Sequence, residues 1–246
     1  FNWPKFKKMN RSNLYIFTYA SVMVIIVAAV LSLAATGLKP FQDKNEEIAK
    51  KLDILRSVEK GLDAADADSK NDYVEAEYDK YITESFVVKS NGDLVDGMDA
   101  FTIDLKKENA KDVDERTLPV YVCSQDNGDK NFIFPVLGGG LWGPIWGYVA
   151  LDADFISIAG AVFDHKAETP GLGAEINTPP FQDQFKGKKI FDDSGAFTSI
   201  MVNKAGIPET IHSVDAISGG TITSKGLEQM LFDCLSVYQT FINAQK

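Results

Sequence analysis

The chain has 246 residues, which is enough for one sizeable domain with smaller attachments. Its formal net charge of −10 argues against a nucleic-acid partner, because binding a phosphate backbone requires a basic surface. With two cysteines and two histidines, the sequence excludes a disulfide-rich scaffold and supplies no ligand set for a zinc or iron–sulfur site of its own.

The first predicted element is an uncharged apolar segment of 22 residues, 14–35. As a helix it would be about 33 Å long, enough to cross a hydrocarbon core of about 30 Å. A cleaved signal peptide is the alternative, but the apolar cores of signal peptides are at most about 15 residues long, shorter than this segment. We therefore predict an uncleaved transmembrane helix, residues 14–36. The basic residues that precede it are Lys5, Lys7, Lys8 and Arg11. The positive-inside rule therefore predicts a cytoplasmic tail, residues 1–13, and a domain across the membrane.

Residues 37–80 are predicted to be a helical connector. Their apolar side chains recur at helical spacing and predict one buried helix face. The residues of this stripe are Ile48, Leu52, Leu55 and Val58. Residues 61–72 are predicted to be a solvated turn, since their aspartates lack the glycine-punctuated spacing of a calcium loop.

Alternating apolar segments predict strands from about Ser85 onward. Two pairs of these segments flank the turn sequences Asn91-Gly92-Asp93 and Asn127-Gly128-Asp129, which favour β-hairpins. The predicted strands are residues 86–88, 94–95, 118–123, 131–137, 148–151, 155–164 and 197–202. The order of elements predicts an α+β domain, residues 81–246, with an antiparallel sheet and flanking helices.

A glycine-rich segment, residues 138–147, contains Trp142 and Trp146. Three consecutive glycines favour close approach to a ligand or to another backbone. The alternative is a tight turn with both tryptophans packed in the core. The residues alone do not separate these two interpretations.

Residues 165–173 are predicted to form a loop, in which one proline and two glycines favour a sharp turn. Glu168 could contact a ligand or orient this loop, whereas an isolated carboxylate of this kind is usually exposed. His165 has no evident partner in the sequence and is predicted to be structural. Thr178, followed by two prolines, is predicted to cap a short helix.

An amphipathic helix is predicted over residues 223–244. Its apolar face consists of Leu227, Leu231, Cys234, Leu235, Tyr238 and Ile242. The candidate capping residues are Ser218, Thr221, Thr223 and Ser224. The neighbouring Gly219 and Gly220 would let an anion approach the free N–H groups and the positive end of the helix dipole. These residues alone are compatible with either a plain helix cap or a phosphate-binding site.

Three segments together resemble the FMN-binding domain family. Asp-Ala-Ile-Ser-Gly-Gly-Thr, residues 215–221, resembles its flavinylation motif Asp-x-x-Ser/Thr-Gly-Ala-Thr/Ser, with Gly220 where alanine is usual. Glu-Thr-Pro-Gly-Leu-Gly, residues 168–173, resembles the loop that lies along the flavin in that family. A Gly-x-Trp-Gly stretch also precedes that loop in family members. This resemblance favours the phosphate site over the plain cap, and a flavin wall over a core turn.

The resemblance implies that FMN is joined through its phosphate to the hydroxyl of Thr221, with Thr223 as the rival acceptor. The other residues that it implies around the flavin are Ser218, Gly219, Gly220, Glu168, Thr169, Gly171, Leu172, Gly173, Leu141, Trp142 and Trp146. Thr221 would be an attachment point, so no catalytic residue and no metal ligand are predicted. A dedicated flavin transferase would have to attach the FMN.

Within this family the chain resembles the NqrC-type flavin subunits of the sodium-pumping NADH:quinone oxidoreductases, with the equivalent subunit of Rnf-type ferredoxin-linked complexes as the alternative. This implies an electron carrier of the bacterial inner membrane, with a periplasmic domain and other membrane subunits as partners. Because no Gly-x-Gly-x-x-Gly opens a helix after a strand, the chain is not predicted to bind NADH itself. Two other classes stay open: a membrane-anchored binding module, which would be colourless, and a freestanding extracytoplasmic flavoprotein reductase.

Overall fold

The computed structural model describes residues 13–204 and 206–246. The basic residues of the predicted tail, Lys5, Lys7, Lys8 and Arg11, lie outside the described residues. Contacts divide the chain into two compact units, with the boundary between Glu47 and Ile48. The domain boundaries given above stay predictions.

The first helix, α1 (Asn13–Arg56), has 44 residues and contains Pro40 within its length. It is long and apolar enough to cross a membrane, with a mean hydropathy of 2.5 over its most apolar window, none of which is buried. The helix does not stop where the apolar segment ends. Its polar continuation includes an exposed ion pair of 3.1 Å between Lys39 and Asp43, which lie four residues apart on one helix face.

The second unit is built on a six-stranded antiparallel sheet with the order β2-β1-β3-β4-β5-β6. Its strands are β1 (Ile82–Lys89), β2 (Leu94–Val95), β3 (Thr117–Ser124), β4 (Lys130–Gly139), β5 (Pro144–Leu151) and β6 (Ile158–His165). Both predicted hairpins are confirmed, because β1 pairs with β2 and β3 pairs with β4. Gly92 and Gly128 occupy the two turns with φ of 90° and 89°, a conformation that favours glycine.

Helices cover both faces of this sheet. The remaining helices are α2 (Lys70–Tyr81), α3 (Leu105–Asn109), α4 (Pro179–Gln182), α5 (Thr221–Val237) and α6 (Gln239–Gln245). On one face, the predicted stripe of Ile48, Leu52, Leu55 and Val58 is buried in a cluster with Tyr121 and Ile133. On the other face, Leu227, Leu231 and Leu235 of α5 pack with Val120 and Phe134. Neighbouring residues of one strand thus enter opposite cores, as the two-residue period of a strand requires.

The C-terminal helix differs from its prediction. It begins at Thr221, two residues early, and α5 and α6 replace the single helix predicted for residues 223–244. The interruption lies at Tyr238, whose hydroxyl donates a hydrogen bond of 2.9 Å to the carbonyl of Pro119. Its ring packs edge-on against Phe134 at 4.8 Å. The hydrogen bond and the ring contact hold Tyr238 against the sheet at the point where α5 ends and α6 begins.

Two strands are shorter than predicted. The strand of residues 155–164 begins only at Ile158, because Phe155 has φ of 55° within a turn that the Asp154 carboxylate caps. The strand of residues 197–202 is reduced to β7 (Met201–Asn203), preceded by Ser199 with φ of 55°. Strand β7 pairs in parallel with β8 (Ser213–Asp215), which leads into the segment before α5.

The two cysteines are both free thiols. Burial raises the pKa of Cys123 to about 11, so its thiolate is scarce at neutral pH. Cys234 is half-buried, and its sulfur lies 3.4 Å from both the backbone nitrogen and the oxygen of Leu137. Its thiol therefore supports the end of β4 beneath α5.

Gly226 lets α5 approach β4. A Cβ atom at this position would lie 2.2 Å from the carbonyl oxygen of Gly139, so the helix would have to move. We expect Gly226→Ala to lower the free energy of unfolding by about 1 to 3 kcal/mol, despite the better helix propensity of alanine. The control is Gly139→Ala, where an added Cβ meets nothing within 4 Å. Equal denaturant midpoints for the two variants would contradict this account.

Candidate functional site

Three segments of the second unit meet at the N-terminus of α5 and enclose a cavity of about 240 Å³. They are the turn between β4 and β5, the loop that follows β6, and the segment that runs from the end of β8 into the first turn of α5. The residues that line the cavity are Leu141, Trp142, Glu168, Thr169, Leu172, Gly173, Gly219, Gly220, Thr221, Ile222 and Thr223. Ten of them were predicted from the sequence, although residues 141 and 223 are far apart in the chain.

Three predicted residues do not line the cavity. Ser218 is exposed beside it, and Gly171 shapes the loop with φ of 75° while its N–H donates to the carboxylate of Glu175 at 2.9 Å. Trp146 is half-buried on β5, next to Ile145, which enters the core beneath α5. Because successive side chains alternate across a strand, Trp146 lies on the opposite face of the sheet.

Ile222 was missed by the sequence analysis. It lines the cavity and is largely exposed in the first turn of α5. The sequence signal that could have identified it is an isoleucine between two threonines, at a position outside the apolar stripe of the helix.

Glu168 is the centre of the arrangement. Its side chain is 5% exposed. One carboxylate oxygen accepts the backbone N–H of Trp142 at 2.8 Å, and the other accepts the hydroxyl of Thr223 at 2.6 Å. Glu168 therefore joins all three segments, and the alternative of an exposed carboxylate is wrong. Its own N–H donates to Nδ1 of His165 at 3.2 Å, so His165 has a partner and supports the loop.

Two glycines make room for this carboxylate. A Cβ on Gly140 would lie 2.5 Å from one carboxylate oxygen, and a Cβ on Gly173 would lie 2.4 Å from the other. Gly138, in turn, faces the side chain of Met230 on α5, where a Cβ would approach to 2.6 Å. Gly138 and Gly140 thus allow close contacts, but with side chains rather than with another backbone, and the predicted approach to a ligand stays a prediction. The alternative with both tryptophans in the core is wrong, since Trp142 is 65% exposed.

None of the predicted side chains caps helix α5. Gly220 occupies the N-cap position, and no side chain bonds to the cap. The hydroxyl of Thr223 is committed to Glu168, and that of Ser224 accepts the N–H of Ile217 at 3.2 Å. The proposed competition among four hydroxyls to cap the helix is therefore wrong, because two of them face inward. Thr178 likewise occupies an N-cap position without a capping bond, since its hydroxyl donates to the carbonyl of Glu175.

An uncapped helix N-terminus of this kind suits an anion. A first turn leaves backbone N–H groups without helical partners, and the helix dipole adds a partial positive charge. Gly219, with φ of 75°, lies against the side chain of Leu172, which a Cβ at this position would approach to 2.6 Å. Among the described residues, no lysine or arginine lines the cavity. A bound phosphate would therefore depend on the helix N–H groups rather than on a cationic side chain.

The two candidate acceptor threonines have opposite environments. Thr221, the first residue of α5, is exposed beside the cavity. Thr223 is 1% exposed, and its hydroxyl is hydrogen-bonded to Glu168. Only the Thr221 hydroxyl is open to a reagent from solvent.

Exposed apolar side chains surround Thr221. Leu141, Trp142, Leu172 and Ile222 all line the cavity and keep large parts of their surface in solvent. Clusters of exposed apolar groups commonly mark a binding site. A flat aromatic ligand with an anionic end would match both the apolar rim and the helix N-terminus.

Gly220 offers a test of the tolerance of the site. An added Cβ would lie 3.0 Å from the side chain of Ile217, and φ at this position is −100°, which alanine adopts freely. We expect Gly220→Ala to change the free energy of unfolding by less than about 1 kcal/mol and to leave ligand attachment intact. Denaturant unfolding and the mass of the denatured protein measure the two effects. A loss of the attached ligand would show that the segment needs glycine here.

Comparison with known proteins agrees with these features. The FMN-binding domain family matches residues 140–236. The NqrC subunit of the Na(+)-translocating NADH-quinone reductase from Vibrio vulnificus strain YJ016 is 32% identical over 221 residues, covering 83% of each chain. The corresponding subunit from Neisseria meningitidis serogroup B is 32% identical over 235 residues, covering 91% of this chain and 89% of the relative.

Two solved structures are similar in fold as well as in sequence. The same subunit of the reductase from Parabacteroides distasonis matches with a TM-score of 0.74 and 44% identity, over 85% of this chain and 98% of that chain. NqrC from Shewanella oneidensis matches with a TM-score of 0.63 and 30% identity, over 80% of this chain and 98% of that one.

Proposed function

The chain belongs to the NqrC family, whose members are subunits of the Na(+)-translocating NADH-quinone reductases, and from this premise we propose that it carries FMN as a phosphoester on Thr221. The flavin would relay electrons within the membrane complex, between NADH oxidation and quinone reduction, which drive sodium transport. The observation that carries the proposal is the exposed hydroxyl of Thr221 at an uncapped helix N-terminus within the FMN-binding domain. A non-redox binding module does not account for that domain.

The size of the cavity supports a covalent link. At about 240 Å³ it is smaller than the pockets that enclose most of a drug-sized ligand, which begin at about 300 Å³. A cradle of this size would leave part of the flavin outside. A phosphoester between the Thr221 oxygen and the FMN phosphorus would remove the dissociation equilibrium, so the site would not need a deep pocket. A dedicated flavin transferase would form this bond.

The residues that line the cavity have separate proposed roles. FMN supplies the electron chemistry, and the chain supplies attachment, orientation and electrostatics. The N–H groups of the first turn of α5 would hold the phosphate. Trp142 and Leu172 would contact the ring system, and Glu168 would hold the two loops in place through its bonds to Trp142 and Thr223. No residue of this chain is assigned a catalytic role.

The chain is a membrane-anchored subunit, given its family and the apolar part of α1. We further propose that α1 crosses the bacterial inner membrane once, with the N-terminus in the cytoplasm and the flavin domain in the periplasm. Its partners would be the other membrane subunits of the complex. Gly37 and residues beyond it would then be reachable by a thiol reagent added outside, once replaced by cysteine, whereas residues before the helix would not.

The covalent link is tested by mass spectrometry of the denatured wild-type chain. Expression with a flavin transferase is expected to add the mass of one FMN less one water. Expression in a host that lacks the transferase is the control and is expected to give the unmodified mass. An unmodified chain from both hosts would overturn the covalent proposal while leaving the family assignment intact.

A further inference from the structure

Strand β6 forms one edge of the six-stranded sheet. The N–H of Lys166 donates to the carbonyl of Pro144 at 3.1 Å, and from there the register pairs Asp164 with Trp146 and Val162 with Tyr148. In an antiparallel pair the inward-bonding residues alternate. The backbone groups of Ala161 and Phe163 therefore point away from β5, toward the open edge.

Both ends of this edge are occupied. Ile158 exchanges two backbone hydrogen bonds of 2.8 Å with Gly187 and Lys188. The carbonyl of Phe163 accepts the side-chain amide of Gln182 at 2.9 Å. Between them, the outward N–H and carbonyl of Ala161 and the N–H of Phe163 have no partner on that side among residues 13–204 and 206–246. This gap spans about five residues, or roughly 17 Å of strand.

A cavity of about 730 Å³ follows this gap, and we call it the β6 groove. One wall comes from the end of α1 and the turn after it, with Asp53, Arg56 and Leu62. The other wall comes from α4 and the turn that follows, with Pro179 and Asp183. The two walls belong to opposite faces of the sheet, since residues of α1 and α4 enter different cores.

The β6 groove is acidic. It is lined by four carboxylates, those of Asp53, Glu59, Asp164 and Asp183, and by two cations, those of Arg56 and Lys186. Lys186 already pairs with Glu59 at 2.5 Å. A lysine or arginine from outside would therefore meet uncompensated negative charge.

We propose that the β6 groove binds an extended, basic segment of another subunit of the complex, which adds a strand to the edge of β6. Main-chain bonds to Ala161 and Phe163 would supply affinity, and a basic side chain facing Asp53 and Asp164 would supply register. Soluble domains normally protect a sheet edge with lysine, proline or a bulge. Strand β6 has a bulge at Ala159, but Gly160, Ala161 and Val162 beyond it include neither lysine nor proline. Ala161 is 6% exposed and Phe163 is 1% exposed, so an added strand would reach their backbone groups only from within the groove.

A second copy of this chain is the other conceivable occupant. Pairing β6 with β6 would bring two acidic grooves together, and like charges opposed across an interface disfavour binding. The proposal rests on membership of the multi-subunit family and does not depend on how FMN is attached. The covalent flavin can therefore be measured in the same variants as an independent readout.

The test uses the assembled complex, purified through a tag on a different subunit. Ala161→Pro removes the outward N–H of residue 161 and also adds a ring at a buried position, so its folding is checked as well. Asp164→Lys reverses one groove charge. Each is expected to reduce the amount of this chain per tagged subunit by roughly tenfold under dilute washing, equivalent to about 1.4 kcal/mol. Asp193→Lys, at an exposed position outside the groove, is the matched charge control and is expected to retain the wild-type amount.

Folding is checked on the same samples by near-ultraviolet circular dichroism and by the mass of attached flavin. If Ala161→Pro does not fold, Asp164→Lys carries the test alone. A photo-crosslinking phenylalanine analogue at position 62, where Leu62 is 65% exposed, is expected to capture a basic segment of another subunit. Full retention of both folded variants would overturn the proposal, as would a crosslink to a second copy of this chain or no crosslink at all.

Discussion

Replacing Thr221 with alanine is expected to abolish covalent flavin completely, whereas Thr223→Ala is expected to keep it. The reason is access, since the Thr221 hydroxyl is exposed at the start of α5 and the Thr223 hydroxyl is buried against Glu168. The measurement is the intact mass of each denatured variant after expression with the flavin transferase. Only the Thr221→Ala chain should lack the mass of one FMN less one water.

Two further measurements make this result specific. Thr221→Ser retains a hydroxyl at the same place and is expected to be modified, so it separates loss of the acceptor from loss of the fold. Thr223→Ala removes a hydrogen bond to a buried carboxylate and is expected to lower the free energy of unfolding by about 1.5 to 3 kcal/mol. A modified Thr221→Ala chain together with an unmodified Thr223→Ala chain would move the attachment site to Thr223.

Apart from replacement of the acceptor Thr221, replacing Glu168 with alanine is expected to disturb the site most, by lowering the free energy of unfolding. The Trp142 N–H and the Thr223 hydroxyl would both lose their partner, and the space between Gly140 and Gly173 would be empty. Hydrogen bonds to charged groups contribute about 1.5 to 3 kcal/mol each, so we expect a loss of about 3 kcal/mol or more in the free energy of unfolding. Denaturant unfolding of the chain measures this loss.

Glu168→Gln is the matched control for shape without charge. The amide oxygen can still accept the Trp142 N–H, and the amide N–H can donate to the oxygen of the Thr223 hydroxyl. We expect this variant to lose less stability than Glu168→Ala and to keep the flavin attached. If alanine and glutamine had equal, small effects on unfolding, Glu168 would not be the link between the three segments.

Features that depend on neighbouring residues could be predicted from the sequence. The two hairpins follow from Asn-Gly-Asp turns between apolar segments, and the buried face of α5 follows from the spacing of its leucines. Ten cavity-lining residues also followed from sequence motifs, because each motif lies within one short loop or turn. The sequence therefore predicts which residues form the three segments, although not how the segments come together.

Features that depend on distant contacts could not be predicted. Glu168 is buried by partners 26 and 55 residues away, and its isolated sequence position gives no sign of them. Trp146 lies away from the cavity because of the register of β5, which the spacing of glycines does not reveal. The interruption of the C-terminal helix at Tyr238 reflects a bond to Pro119, which is 119 residues away.

The small volume of the cavity beside Thr221 has a consequence for the reaction with dioxygen. A flavin tethered in about 240 Å³ would keep part of its surface in contact with dissolved gas, because no deep wall closes over it. Active sites that expel solvent suppress such side reactions, and this cradle has little means to do so alone. In the isolated chain, the reduced flavin would then be reoxidised by dioxygen, which would be reduced to superoxide or peroxide. In the complex, neighbouring subunits would have to shield the flavin, so protection against superoxide and peroxide would come from the assembly.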